Sequence, residues 1–148
     1  MSVQGMGVRE WPIDLPAVLR AEWDSVTLAH HNVLLAGTQC VTNIMVTSLT
    51  PHLRQPVHRY RLNGDTSVPL PATGSLILSE VGALDLNQQL QLFQSLDRFH
   101  ERVPVQLVST TSMPLYSLVE SGAFHDGLFY RLNTVRFDLS AAGEAVLL

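Results

Sequence analysis

The stretch GSLILSE (Gly74–Glu80) is an apolar run ending in a single acid that follows a serine. Two adjacent acids at such a strand end can hold Mg²⁺ with the first and orient a water with the second. Ser79 takes the first place here, which leaves Glu80 as the one carboxylate of the pair. A second candidate follows the apolar run NVLLA: Gly37, Thr38, Gln39, Cys40, Val41, Thr42 and Asn43. A glycine-rich turn at this point can cradle phosphates on backbone N–H groups, with a lysine reaching the outer phosphates. Gly37 is the one glycine of the segment, and the 148 residues hold nine arginines and no lysine. No step confined to this chain can draw on a lysine ammonium.

Other reactive types are scattered. His30, His31 and Cys40 are soft ligands without the regular spacing of a metal site, so no metal is expected. HLRQPVHRYR carries Arg54, Arg59 and Arg61 beside His52, His58 and Tyr60. It reads as a solvated strand face, or as a surface for RNA, DNA or an acidic partner. Phe129 and Tyr130 read as packing residues.

These groups need a frame to position them. Asp14 can cap a helix with Pro16 in its first turn, running to about Ala29. NVLLAG suits a buried parallel strand. VTNIMVTSL reads as the following helix, although its β-branched residues lower the propensity. VHRYRL alternates as a half-buried or edge strand does, NGD makes a turn and PLPATG a loop. After SLILSEV, Asp85 and Gln88 form a capping box, and Leu86, Leu90, Phe93 and Leu96 share one helical face. VPVQLVSTT is a further strand. Pro114 opens a helix that Gly122 stops, and GLFYRLN is a short helix before the strand TVRFDL. Strands alternating with helices imply an α/β fold with a parallel sheet. Its functional groups should gather at the strands' carboxyl ends, Gly37–Cys40, Ser79–Glu80 and Thr111–Ser112.

The composition sets bounds. An apolar share of 46% with 15% charged residues describes a folded single domain. A net charge of −4 gives no general attraction to nucleic acid, so direct DNA binding is not expected. No apolar run is long enough for a membrane helix. The start of the chain lacks a signal-peptide pattern, and a lone Cys40 makes no internal disulfide, which points to the cytoplasm.

Three blocks in order resemble the second half of the AAA+ domain of sigma-54-dependent transcription activators, the bacterial enhancer-binding proteins. GSLILSEVGALDLNQQLQLFQSL is similar to their Walker B strand and next helix, VQLVSTTSMPLYSLVESGAF to their sensor strand. FHDGLFYRLNTVRFDL is similar to their segment of the form F-R-x-D-L-Y-Y-R-L-N. Upstream, HNVLLAGTQCVTNIMVTSL lies where the family has its phosphate-binding loop. The likeness covers about residues 15–139 and is strongest from 74 onward.

The resemblance implies a three-layer α/β/α P-loop NTPase-like core over 14–140, without the helical lid, between a flexible 1–13 and a tail 141–148. It also implies how the site departs from the family. Cys40, Thr42 and Asn43 stand where the later glycines and the lysine would be, and Ser79 where the Walker B acid would be. Ser112 replaces the sensor asparagine. His125 takes the place of the first interface arginine, and Arg131 retains the second. No GAFTGA sequence, the family's sigma-54-touching loop, lies between Asn43 and Ser79. The reading that follows is a pseudo-ATPase whose Ser79, Glu80, Ser112, His125 and Arg131 are relic positions. It would act as an interaction or regulatory protein in transcriptional control. The alternative is an ATP or ADP switch without turnover, held by Gly37–Asn43. Expected partners are a full-length sigma-54-dependent activator or a second copy as a homodimer, unless the apolar tail folds back and leaves a monomer.

Overall fold

The computed structural model describes residues 19–61, 71, 73–99 and 105–139. Five strands form one sheet: β1 (Val33–Ala36), β2 (Val57–Arg61), β3 (Gly74–Ser79), β4 (Val105–Thr111) and β5 (Val135–Asp138). Their spatial order is β2-β3-β4-β1-β5, and every neighbouring pair is parallel. The helices are α1 (Arg20–Thr27), α2 (Gln39–Leu49), α3 (Leu86–Phe99), α4 (Leu115–Glu120) and α5 (Asp126–Leu132).

Strand alternation divides the core into two layers. Leu34, Leu76, Leu78 and Leu107 point to one face and pack with α3, α4 and α5 through Leu92, Leu96, Leu115, Leu128 and Leu132. Val33, Leu35, Ile77, Val108 and Phe137 point to the other, against Trp23 and Val26 of α1 and Val41, Met45, Val46 and Leu49 of α2. Because successive side chains take opposite faces, a strand buried on both sides is apolar at consecutive positions, as Val33–Leu35 and Leu76–Leu78 are, whereas β4 also buries Gln106, Ser109, Thr110 and Thr111. The result is the three-layer α/β/α arrangement.

Local signals explain most boundaries. Asp85 Oδ1 accepts from the Gln88 amide at 2.8 Å, and Gln88 Oε1 accepts from the Asp85 amide at 3.0 Å, the expected capping box. Gly122, at φ +84, ends α4 while the Ala123 amide bonds the Leu118 carbonyl. β2 lies at an edge of the described sheet, as its alternation predicted. Asp14, Pro16, the NGD turn, half of PLPATG and both terminal segments fall outside the described residues.

Two expectations need correction. On α3 the buried stripe is Gln89, Leu92 and Leu96, with Phe93 packed at its side, whereas Leu86 and Leu90 are 55% and 43% exposed. Buried Gln89 decides this rotation. Its Nε2 donates to the Leu84 and Ala123 carbonyls, and its Oε1 accepts from the His125 amide at 2.8 Å. Tyr130 is 68% exposed, so of the aromatic pair Phe129 alone is buried.

A second buried amide organises the strands' amino ends. Gln106, 1% exposed, donates to the Val26 and His31 carbonyls and accepts from the Arg54 amide, while the Ser75 hydroxyl beside it donates to the Arg54 carbonyl. Asn32 adds a parallel tie, donating to the Arg131 carbonyl and accepting from the Leu107 amide.

Candidate functional site

The carboxyl ends of β3, β4 and β1 lie side by side, so the fold gathers the three segments that the sequence nominates. At β1 the connection to α2 consists of Gly37 and Thr38 alone. Thr38 is the N-cap of α2, its hydroxyl accepting from the Val41 amide at 3.4 Å and its carbonyl from the Thr42 amide at 2.9 Å. Gln39, Cys40, Val41, Thr42 and Asn43 are already helical. Thr42 is buried, Cys40 and Asn43 are exposed, and none of these residues has a positive φ. An anion nest needs successive free amides facing one point. Here the Val41 and Thr42 amides are engaged within the helix start. Gly37 is constrained by packing: a Cβ there would stand 3.1 Å from Leu139 Cβ. Its amide donates to the Thr111 carbonyl at 3.0 Å, tying β1 to β4.

At β3 the chain turns sharply. Glu80 has φ 57 and ψ 56, a left-handed conformation that non-glycine residues adopt at a cost of roughly 1–2 kcal/mol. Neighbouring groups hold it there. The Glu80 amide donates to Thr110 Oγ1 at 3.0 Å, and its carbonyl accepts from the Ala83 amide at 3.0 Å. One carboxylate oxygen, Oε1, accepts from both the amide and the hydroxyl of Ser112, at 3.2 and 3.0 Å. Glu80 and Ser112 thus meet across β3 and β4. Half-buried Ser79 ends β3, in register with Arg61.

The last two candidates lie on α5. His125 is its N-cap, with Nδ1 accepting from the Leu128 amide at 3.1 Å, so the tautomer in place carries its proton on Nε2. The His125 ring packs on Phe93 of α3 at 4.7 Å between centroids, and the Arg131 guanidinium lies 5.5 Å from the Phe93 centroid. Gly127 makes room for this, since a Cβ would come within 2.8 Å of His125 and 3.1 Å of Phe93. Phe93 therefore brings His125 and Arg131 together, while the Glu80–Ser112 pair belongs to the strand ends.

A cleft of about 250 Å³ opens between the ends of β1, β4 and β5, with Gly37, Ser112, Met113, Arg136 and Asp138 on its walls. Arg136 and Asp138, two residues apart on β5, lie 3.8 Å from each other at its rim, both well exposed. Among the described residues no three His, Cys, Asp or Glu side chains gather closely enough to hold a metal ion. No described helix is long and apolar enough to cross a membrane.

The sigma-54 interaction domain family matches residues 18–141 of this chain, which takes in every strand and helix described above. The chain belongs to that family. It is 33% identical over 82 residues to the HTH-type transcriptional regulatory protein TyrR of Enterobacter agglomerans, covering 49% of this chain and 16% of the relative. To the regulatory protein AtoC of Escherichia coli it is 33% identical over 75 residues, covering 45% and 16%. The match thus spans about a sixth of the length of these curated relatives. Among solved structures, NtrX from Brucella abortus in complex with ADP superposes with a TM-score of 0.69 at 18% identity, covering 90% of this chain and 38% of that one. The P-loop NTPase domain of the sigma-54 transport activator from E. coli gives 0.58 at 21% identity, covering 80% and 94%. At these identities the superpositions establish the P-loop NTPase fold, the AAA+ core of sigma-54 activators.

Within this member of the family, sequence reasoning missed two parts of the site's support. Gln89 reads as an ordinary polar helix position, yet it carries the His125 turn. Thr38 stands in the expected phosphate loop and serves as a helix cap, which its residue type could have signalled.

Proposed function

We propose that this domain is a pseudo-ATPase of the sigma-54 interaction family that acts in transcriptional control through protein contacts, without hydrolysing ATP. The observation that carries this reading is the two-residue connection from β1 to α2, with the Val41 and Thr42 amides bonded to Thr38. Phosphoryl transfer rests on positioning and charge neutralisation, so a site with a two-residue connection in place of a glycine-rich loop, and without lysine or magnesium acid, has lost its main parts. Asn43 and Ser79, neutral residues at the lysine and acid positions that the resemblance implies, fit the same reading. The purified domain is expected to show ATP turnover at background, unchanged by Glu80→Gln. Turnover above background that Glu80→Gln abolishes would overturn it.

The proposed partners are a full-length activator or a second copy, since AAA+ subunits assemble side by side. Direct contact with sigma-54 is not expected without the GAFTGA sequence. A sigma-54 pull-down that depends on an ATP analogue would contradict this.

One observation favours a second reading, a nucleotide switch without turnover: the cleft beside Gly37 opens at the strand ends and carries Arg136 on its wall. Melting curves with ATP and ADP, with and without Mg²⁺, separate the two. A nucleotide-dependent shift without turnover selects the switch, and no shift selects the interaction protein.

A further inference from the structure

The segment His52–Arg61 holds Arg54, Arg59 and Arg61 with two histidines and no acid, in a chain whose net charge is −4. It ends in β2, which pairs with β3 alone among the described residues, so the outer edge of β2 meets no described strand. Val57 packs toward the α1/α2 layer and Tyr60 toward the α3 layer, which anchors the strand from both faces. His58 and Arg59 are exposed. Neither Arg54 nor Arg59 has an ion-pair partner among the described residues. The approach to the strand is also rigid: the Arg54 amide bonds Gln106 and the Arg54 carbonyl accepts from the Ser75 hydroxyl. A firmly held edge offers a row of backbone donors and acceptors to an added strand.

We propose that the outer edge of β2 is a docking site for an acidic, extended segment of a protein partner, which adds to the sheet as a sixth strand. Charge decides among the possible occupants. A second copy pairing through the same edge would bring the His58–Arg61 stretches together, and like charges across a strand pair are destabilising. A glutamate- or aspartate-rich strand meets the same positions with opposite charge, which favours both encounter and register. Nucleic acid would use the charge and leave the backbone row unused.

The test is titration of the full chain with a labelled synthetic peptide of alternating glutamate and valine, read by fluorescence anisotropy and by backbone amide shifts. Three controls accompany it: the lysine–valine peptide, the acidic peptide N-methylated at alternate amides, and an oligothymidine of equal length. The expected result is saturable binding that shifts the amides of Val57–Arg61 and weakens as salt rises. Arg59→Glu should weaken it by about tenfold, with Arg59→Gln intermediate and both variants melting as the parent does. The lysine peptide should not bind, and N-methylation should cost about tenfold or more. Absence of saturable binding overturns the proposal. So does equal affinity for the N-methylated peptide, which would mean charge without strand addition. Tighter binding of oligothymidine would assign the face to nucleic acid, and a dimer dissociated by the peptide would assign it to a second copy.

Discussion

The turn after β1 and the turn after β3 occupy equivalent places, each at the carboxyl end of an inner parallel strand, yet they are built in opposite ways. After β1 the backbone is relaxed: Gly37 and Thr38 lead directly into α2, and the amides close on Thr38. After β3 the backbone is strained: Glu80 sits in the left-handed region, held by Thr110, Ala83 and Ser112. Strain of this kind persists only where the surroundings over-determine it. Cys40 and Thr42 carry side chains that favour right-handed dihedrals, and both lie within α2. A turn pinned by its neighbours keeps its shape with a neutral Ser79 beside it.

The largest expected effect tests the pinned turn. Thr110→Val preserves shape but removes the acceptor for the Glu80 amide, and an unpaired half-buried donor costs about 1–3 kcal/mol, measurable by urea unfolding. A change below the noise would mean that Thr110 does not hold the turn. Next, Glu80→Gly should be more stable than Glu80→Ala by about 1 kcal/mol, since glycine alone relieves the left-handed strain. Equal stability would show that the strain is relaxed in solution. On the other side, Thr38→Ala should cost roughly 0.5–1 kcal/mol, the low end for a cap whose bond is long. The smallest expected effect is none: Asn43→Lys should leave the melting temperature insensitive to Mg-ATP. A restored charge does not free the Val41 and Thr42 amides. A clear shift on that single substitution would place the loss in the lysine alone.

The sheet was legible because its signal is local. The inner strands β1 and β3 are centred on the apolar runs VLLA and LIL, and the caps at Asp85 and Gly122 mark helix ends within a few residues. The gathering of Glu80 with Ser112 followed from the parallel topology, which sends the strand ends to one side. What the sequence hid depends on contacts across the chain. Leu86 and Leu90 look like core by spacing, but Gln89 turns α3 the other way through bonds to residues 34 and 36 positions distant. His125 reads as a lost arginine and is also a cap that rests on Phe93, a role set by a neighbouring helix. Tyr130 follows two buried residues, Leu128 and Phe129, and faces solvent because the further helical rotation carries it off their face.

The Gln106 junction gives the sheet two ends of different stiffness. Gln106 there ties the end of α1, the turn before β1 and the segment before β2, Ser75 ties that segment to the start of β3, and Asn32 sutures β1 to β4 beside them. Opening that end requires several of these bonds to fail together, so its amides should exchange with solvent only when the whole domain unfolds. Among the described residues the opposite end has no such side-chain knot joining all of its strands, and its amides are expected to exchange through smaller, more frequent openings. The molecule is built like a clothes peg. It is held at the base by side chains, and its compliance lies at the opposite lip, in the turn after β1 more than in the pinned turn at Glu80.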